Sequence, residues 1–512
     1  MERGGGILLP VSSLPSPYGI GTMGEAARGF IRFLKEAGQS WWQILPTGPT
    51  GYGDSPYQSF SSFAGNSYFI DLNDLAEEGL LEKSEYDSLE WGNDPEKVDY
   101  ARLSLNRSRV LRRAVDRLMQ EKPEDYEAFR KENAYWLDDY SLFMAEKAEH
   151  GMRAFTDWEE GLRRHDPGAV LLERERLCGE IEYIEAVQYL FRKQWNALRQ
   201  YAHENGIRLI GDVPIYVSPD SADLWGHPEL FQLNEDGTKS EVAGCPPDSF
   251  SEDGQLWGNP LYNWDYMKQD EYNWWAQRIA YQFTIIDMLR IDHFRGFESY
   301  YAIPADSRTA KVGEWRKGPG IHFFRTIEKK LGHLNIIAED LGYLTPEVQK
   351  LVRDSGYPGM KVLLFGFDER DTGFGYLPHQ FSRNCVVYPG THDNETVVGW
   401  MKNAPRRYVE NAIEYYGLSR EEGYHWGFIR AAYESVADLA VIQFQDFLGL
   451  DNTARINIPS TTGGNWTWRT TPESIRDDRL AKKIRHWMEI TDRLPKEKET
   501  ENADDRSGKQ KL

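Results

Sequence analysis

Eight short apolar runs, at residues 7–11, 41–45, 208–212, 287–292, 335–339, 362–367, 385–388 and 439–444, recur along the 512-residue chain, several of them preceded by segments of helical period. That alternation is the pattern of successive βα units, and it predicts a parallel sheet buried under helices. Eight such units close a (β/α)8 barrel, an architecture of about 250 residues that accepts insertions. The clearest helices are predicted at 25–37, 183–203, 274–285 and 404–416. In the second, Ile184, Val187, Phe191, Trp195 and Leu198 share one face, and Gly206 offers a C-terminal cap before the next strand.

The intervals between the runs are uneven, and the two long ones follow the second and third strands. Residues of about 50–180 carry charged amphipathic segments (102–120 and 125–149) and read as an inserted helical subdomain. Residues 214–272 read as a long loop rich in Pro, Gly, Asp and Trp, and irregular segments of that length in a compact enzyme are usually lids or substrate-binding loops. The organisation expected is a single catalytic barrel over 1–493 that includes both insertions, followed by a polar tail, 494–512, expected to be disordered.

Charge narrows the class of partner. Sixty Lys and Arg against 81 Asp and Glu leave a formal net charge of −21, which opposes attraction to nucleic-acid phosphates and anionic membranes, so neither is an expected partner. Cys178, Cys245 and Cys385 are odd in number and form no CxxC pattern, which favours a reducing cytoplasm over a disulfide framework or a zinc site. No signal-peptide pattern and no apolar run of about 18 residues occurs. The triplets Asn106-Arg107-Ser108 and Asn465-Trp466-Thr467 are then chance matches to a glycosylation signal. Gly51-Tyr52-Gly53-Asp54 lacks the GK[ST] of a phosphate loop. Whether the chain is a monomer or a homodimer stays open.

Three of the predicted strands end in acids: MLRID at Asp292, IIAED at Glu339 and Asp340, and VVYPGTHD at Asp393. In a barrel all C-terminal strand ends converge on one face, so wide separation in sequence does not keep these carboxylates apart. A cluster of carboxylates is what glycosyl transfer with retention needs, with one ionised, one protonated, and negative charge near an oxocarbenium-like transition state. Taken singly, each acid has a rival account as a helix N-cap or loop ligand. Arg290 lies two residues before Asp292 on the same strand face, where its charge would keep Asp292 ionised or form a structural ion pair. His293 faces the other way, which favours a core or supporting place over metal binding.

The segments IRLIGDVPIYV, DMLRIDHFRGF, NIIAEDLG and VYPGTHDNET resemble the four active-site regions of the alpha-amylase clan, in the form carried by the 4-alpha-glucanotransferases of glycoside hydrolase family 77. YGDSPYQS, PPDSFSEDGQLWGNPLYNW and GNWTWR are similar to the same family, so the resemblance spans about residues 8–469. It implies transfer of α-1,4-glucan segments from a maltooligosaccharide to the 4-hydroxyl of glucose or another α-1,4-glucan, through a covalent glycosyl-aspartate. It further implies Asp292 as nucleophile, Glu339 as general acid/base, and Asp393 as a third carboxylate that holds sugar hydroxyls. His392 is implied to bond a sugar hydroxyl, Asp212 to support the site, with N-capping as its rival, and Tyr57 and Trp257 to line the donor and acceptor sides. In NWTWR, Trp466 and Trp468 stay open between core and sugar, and Asn465 is the residue of that segment expected to touch sugar.

Three further expectations follow. Val213-Pro214-Ile215-Tyr216-Val217 stands where a calcium amylase usually carries an Asn-His pair, so no metal and no cofactor is expected. No C-terminal β-sandwich domain is expected. The loop with Phe250, Trp257 and Trp264, given backbone freedom by Gly254 and Gly258, is expected to close as a lid that excludes water, with a static rim loop as its rival.

Overall fold

Twelve strands organise the computed structural model, which describes residues 1–51, 53–247, 253–342, 344–368 and 375–496. They are β1 (Gly4–Leu8), β2 (Trp41–Gln43), β3 (Arg208–Val213), β4 (Glu241–Cys245), β5 (Gln255–Pro260), β6 (Met288–Ile291), β7 (Ser299–Pro304), β8 (Glu314–Lys317), β9 (Ile336–Ala338), β10 (Gly359–Val362), β11 (Cys385–Tyr388) and β12 (Leu439–Gln443). Eight of them close into a parallel barrel in the order β1-β12-β11-β10-β9-β6-β3-β2. Each of the eight apolar runs supplies one barrel strand or abuts it. No helix among the described residues is long and apolar enough to cross a membrane.

Two strand ends depart from the sequence reading for identifiable reasons. β1 begins in Gly4-Gly5-Gly6, a run that strand propensity disfavours. Close approach explains it: a Cβ on Gly5 would stand 2.7 Å from the Met488 side chain, and one on Gly6 2.9 Å from the Trp41 Cβ. β10 ends at Val362, and Leu363–Phe365 of the expected strand turn as a 3-10 helix. Leu363 and Leu364 are buried all the same, and an apolar run reports burial before it reports conformation.

The four expected helices form as Glu25–Glu36, Cys178–Glu204, Asn273–Ile285 and Arg406–Tyr416. The second buries Val187, Phe191, Trp195 and Leu198, and the Trp195 indole N–H donates to the Ile285 carbonyl at 2.9 Å, which ties two barrel helices together. Between β2 and β3 run the helices Tyr100–Glu121, Glu124–Glu149 and Pro167–Arg176, with shorter turns around them.

The stretch read as a loop after β3 is partly sheet. β4 and β5 lie within it and join β7 and β8, which follow the fourth barrel strand, in an antiparallel sheet of order β5-β4-β7-β8. EVAGC and QLWGNP contain Gly and Pro, poor strand formers, and they are strands because β7 pairs with one and a bulged ladder joins the two. After β12 the described residues form helices, turns and one isolated bridge, Lys97 to Trp468, with no further strand.

The N-terminal end of the barrel is closed by arginine. Arg493 is fully buried, and its guanidinium donates to the carbonyls of Gly4 (2.9 Å), Tyr433 (2.8 Å) and Ala437 (2.9 Å), while Arg3 reaches Tyr433, Ser435 and Ala437 beside it. Burial pushes the Arg493 pKa down to about 9, so the carbonyls hold a cation at real desolvation cost. Arg493→Met is expected to lower stability in urea by about 3 kcal/mol, because buried carbonyls lose their donor at about 1–3 kcal/mol each. Activity per folded molecule should not change, since these groups sit at the end opposite the strand C-termini.

Candidate active site

Register assembles the centre of the cluster. β3 and β6 pair so that Asp212 lies level with Arg290, and parallel neighbours at one level point to the same side. The Arg290 Nη1 donates to both Asp212 oxygens at 2.7 Å, and its Nη2 meets the Asp292 Oδ1 at 3.0 Å. One guanidinium therefore bridges two carboxylates. The Asp212 and Arg290 side chains are 0% and 3% exposed, whereas Asp292 is 29% exposed, so the fork is sealed and its outer partner opens to the cleft.

Tyr57, from the segment after β2, donates its hydroxyl to the Asp212 Oδ2 at 2.9 Å, and its oxygen lies 2.8 Å from the His392 Nε2. Because the Tyr57 proton goes to the carboxylate, the network assigns the His392 proton to Nε2, donating to Tyr57. Burial holds the His392 pKa below its ordinary value, against the pull of Asp393, so the ring is neutral. The Tyr57 and His392 rings stack at 5.3 Å, and Trp466 packs against both at 5.7 and 6.1 Å. Of the two readings left open for Trp466, it is the buried backing of this pair. Asp393 follows His392, its Oδ1 accepts from the Asn457 side chain at 2.6 Å, and its carbonyl accepts from Arg455 at 2.7 Å.

Glu339 leaves the end of β9, next to β6. Its two carboxyl oxygens accept the backbone N–H groups of His293 (2.7 Å) and Leu341 (2.9 Å), so main chain rather than side chain orients it. His293 adopts a left-handed backbone, φ +50°, between β6 and the turn that follows.

Burial raises both carboxyls, and their charged neighbours then divide them. Glu339 is pushed up to about 7, with Arg290 opposing and Asp292 reinforcing the shift; Asp292 is pushed up to about 6, with Arg290 opposing and Asp212 and Asp393 reinforcing it. Asp292 is the one Arg290 touches, so near neutrality Asp292 is ionised while Glu339 keeps a proton for much of the time. Two carboxyls with different protonation in one cleft can act as base or nucleophile and as acid.

The remaining sequence candidates fall differently. Trp257 stands on β5 rather than on an irregular loop, and its ring meets His293 edge-on at 4.8 Å. Trp264 packs against Tyr262, Phe297 and Phe323, which makes it a rim anchor and not a cover. Phe250 lies outside the described residues. The Asn465 amide is engaged within its own loop, accepting from the Ile458 N–H at 3.0 Å and donating to the Thr461 carbonyl at 3.2 Å and hydroxyl at 3.1 Å. Its contacts are those of a loop tie, and Asn457 in the same segment is the amide that reaches a carboxylate. Asn457 and Arg455 went unnoticed because nothing periodic marks their segment. Among the described residues no group of three or more His, Cys, Asp or Glu side chains is arranged to hold a metal ion.

Comparison with known proteins gives a consistent answer. The sequence pattern of glycoside hydrolase family 77, described as 4-alpha-glucanotransferase, matches residues 9–474. A 4-alpha-glucanotransferase of Clostridium butyricum is 45% identical over 93% of this chain and 97% of its own length, and one of Thermus thermophilus is 44% identical over 96% and 100%. The structure of an amylomaltase from Streptococcus agalactiae in complex with acarbose superimposes with a TM-score of 0.93 at 41% identity, over 96% of this chain and all of that one.

The fork makes a prediction about stability. Arg290→Met leaves Asp212 buried without its cation and is expected to cost about 3–5 kcal/mol in denaturant unfolding. Asp292→Asn removes the charge of the partly exposed partner and should change stability by no more than about 1 kcal/mol.

Proposed function

Since the chain belongs to the 4-alpha-glucanotransferase family, glycoside hydrolase family 77, we propose that it moves α-1,4-glucan segments by a retaining double displacement on Asp292. The observation that supports this reading best is the single guanidinium that contacts Asp292 and leaves Glu339 to the backbone. In the first step the Asp292 carboxylate attacks the anomeric carbon, and the bond from that carbon to the 4-oxygen of the next sugar breaks. Glu339 gives its proton to the departing oxygen, and a glycosyl-aspartate remains. In the second step Glu339, now a carboxylate, takes the proton of an incoming 4-hydroxyl. That oxygen attacks the same carbon from the face just vacated and returns Asp292 to the free carboxylate.

The other residues serve binding in this reading. Asp393, fixed by Asn457, and His392, whose Nε2 proton goes to Tyr57 and whose Nδ1 has no partner among the described residues, hold hydroxyls of the sugar undergoing reaction. Tyr57 lines the donor side and keeps Asp212 and His392 in place; Trp257 lines the acceptor side. The donor is a maltooligosaccharide and the acceptor is glucose or another α-1,4-glucan. We treat residues 1–493 as one catalytic unit, with the segments of about 50–180 and 214–272 shaping its cleft, and a reducing cytoplasm suits cysteines that form no disulfide.

Maltotriose tests the activity directly. Glucose and longer oligomers should appear together while the number of reducing ends stays nearly constant; reducing ends that rise as fast as oligomers form would identify a hydrolase instead. Asp292→Ala, Glu339→Ala and Asp393→Ala should each lower turnover on the order of ten-thousandfold while leaving the protein folded. The pH profile of kcat/KM should be a narrow bell whose limbs belong to the coupled pair. Activity falls below about 6 as Asp292 gains a proton, and above about 7 as Glu339 loses one. Trp257→Ala should raise hydrolysis relative to transfer, measured as reducing ends released per oligomer formed, because an acceptor that is no longer aligned loses its advantage over water.

A further inference from the structure

His293 joins the two halves of the cleft. Its backbone sits in the left-handed region, φ +50° and ψ +48°, which L-residues other than Asn, Asp and His rarely adopt and β-branched residues resist. In that conformation its N–H, belonging to the residue after Asp292, turns toward β9 and donates to the Glu339 Oε2 at 2.7 Å. Its ring projects the other way and meets Trp257 edge-on, 4.8 Å between centroids at 85°. Gly296 makes the turn possible, since a Cβ there would lie 3.3 Å from the His293 ring and 2.7 Å from Ile215.

The ring is uncharged. Burial and the nearby Arg295 hold the His293 pKa far down, at about 3, and its Nε2 is buried without a hydrogen-bond partner. Neutrality suits the place, because an imidazolium beside Glu339 would draw off the proton that the acid must keep. The left-handed backbone, through its N–H to Glu339, and the ring contact with Trp257 thus converge on one residue.

We propose that His293 is a positioning residue with two separable effects: its left-handed N–H sets the orientation and proton affinity of Glu339, and its neutral ring holds Trp257 at the acceptor side. This rests on Glu339 being the acid/base of the preceding section. The N–H bond favours the charged form of Glu339, so weakening it lets Glu339 keep its proton to higher pH and moves the basic limb of the profile upward. Trp257 does not enter that effect; loosening it changes acceptor binding and the loss of intermediate to water.

The test is a substitution series at position 293 graded by tolerance of the left-handed backbone. His293→Gly and His293→Asn keep the N–H in place and remove the imidazole, so the basic limb should stay where it is in the wild type while acceptor KM and hydrolysis rise. His293→Ala should move the limb part of the way, and His293→Val, the least tolerant, by about one pH unit upward with about a tenfold fall in kcat. If Val does not fold, the Gly, Asn and Ala variants still order the limbs. A role in folding alone would lower the yield of active enzyme and leave the limb and acceptor KM untouched. That result, or a limb that moves equally in Gly and Ala, overturns the proposal. Glu339→Gln is the control: a basic limb that survives in it removes both readings, and the fault then lies with Glu339 and not with His293.

Discussion

One guanidinium held between two carboxylates is the interaction on which the site depends. Arg290 can serve Asp212 and Asp292 together only because β3 and β6 pair in parallel at one register, and because Asp292 comes two residues after Arg290 on the same side of its strand. A slip of one residue would turn Arg290 into the helical layer and leave Asp212 buried without a counter-charge. The fork also carries the other side of the cleft, since Tyr57 is fixed by Asp212, and His392 by Tyr57. An error at the fork would therefore spread along the network before it reached any sugar.

The division of labour between main chain and side chain is also informative. Asp292 and Asp212 are oriented by an arginine, whose charge acts on proton affinity as well as on position. Glu339 is oriented by two N–H groups, which fix its direction with less effect on its charge. A proposed nucleophile must stay ionised and a proposed acid must not, and the two modes of support match those needs.

Much of this was legible from residues alone. The acids at 292 and 339 stand out because each closes an apolar run, and the acid at 393 because it follows one across a short turn; a barrel gathers strand ends whatever their spacing in sequence. Legibility failed where structure comes from pairing rather than pattern. β4 and β5 have no alternation to read, and their partner β7 lies beyond the next barrel strand, so QLWGNP looked like a loop and Trp257 like part of a lid. The first strand, expected at 7–11, begins three residues earlier in Gly4-Gly5-Gly6, where strand propensity is poor and close packing leaves no room for a Cβ on Gly5 or Gly6. In the segment 455–466 the eye is drawn to Asn465 beside two tryptophans, whereas Asn457, in plain surroundings, carries the contact to Asp393.

The arginine closure at the far end of the barrel has a topological consequence. Gly4 and Arg493 are in direct contact, so the beginning of the first strand and the end of the last helix adjoin, on the face opposite the cleft. The described chain is nearly a closed loop, and a short linker across that point would make it one with little new constraint on the native state. New termini opened on a surface turn would give a circular permutant of the same barrel. For the same reason, tethering the protein to a solid support through the face that carries Gly4 and Arg493 turns the cleft outward, toward the substrate.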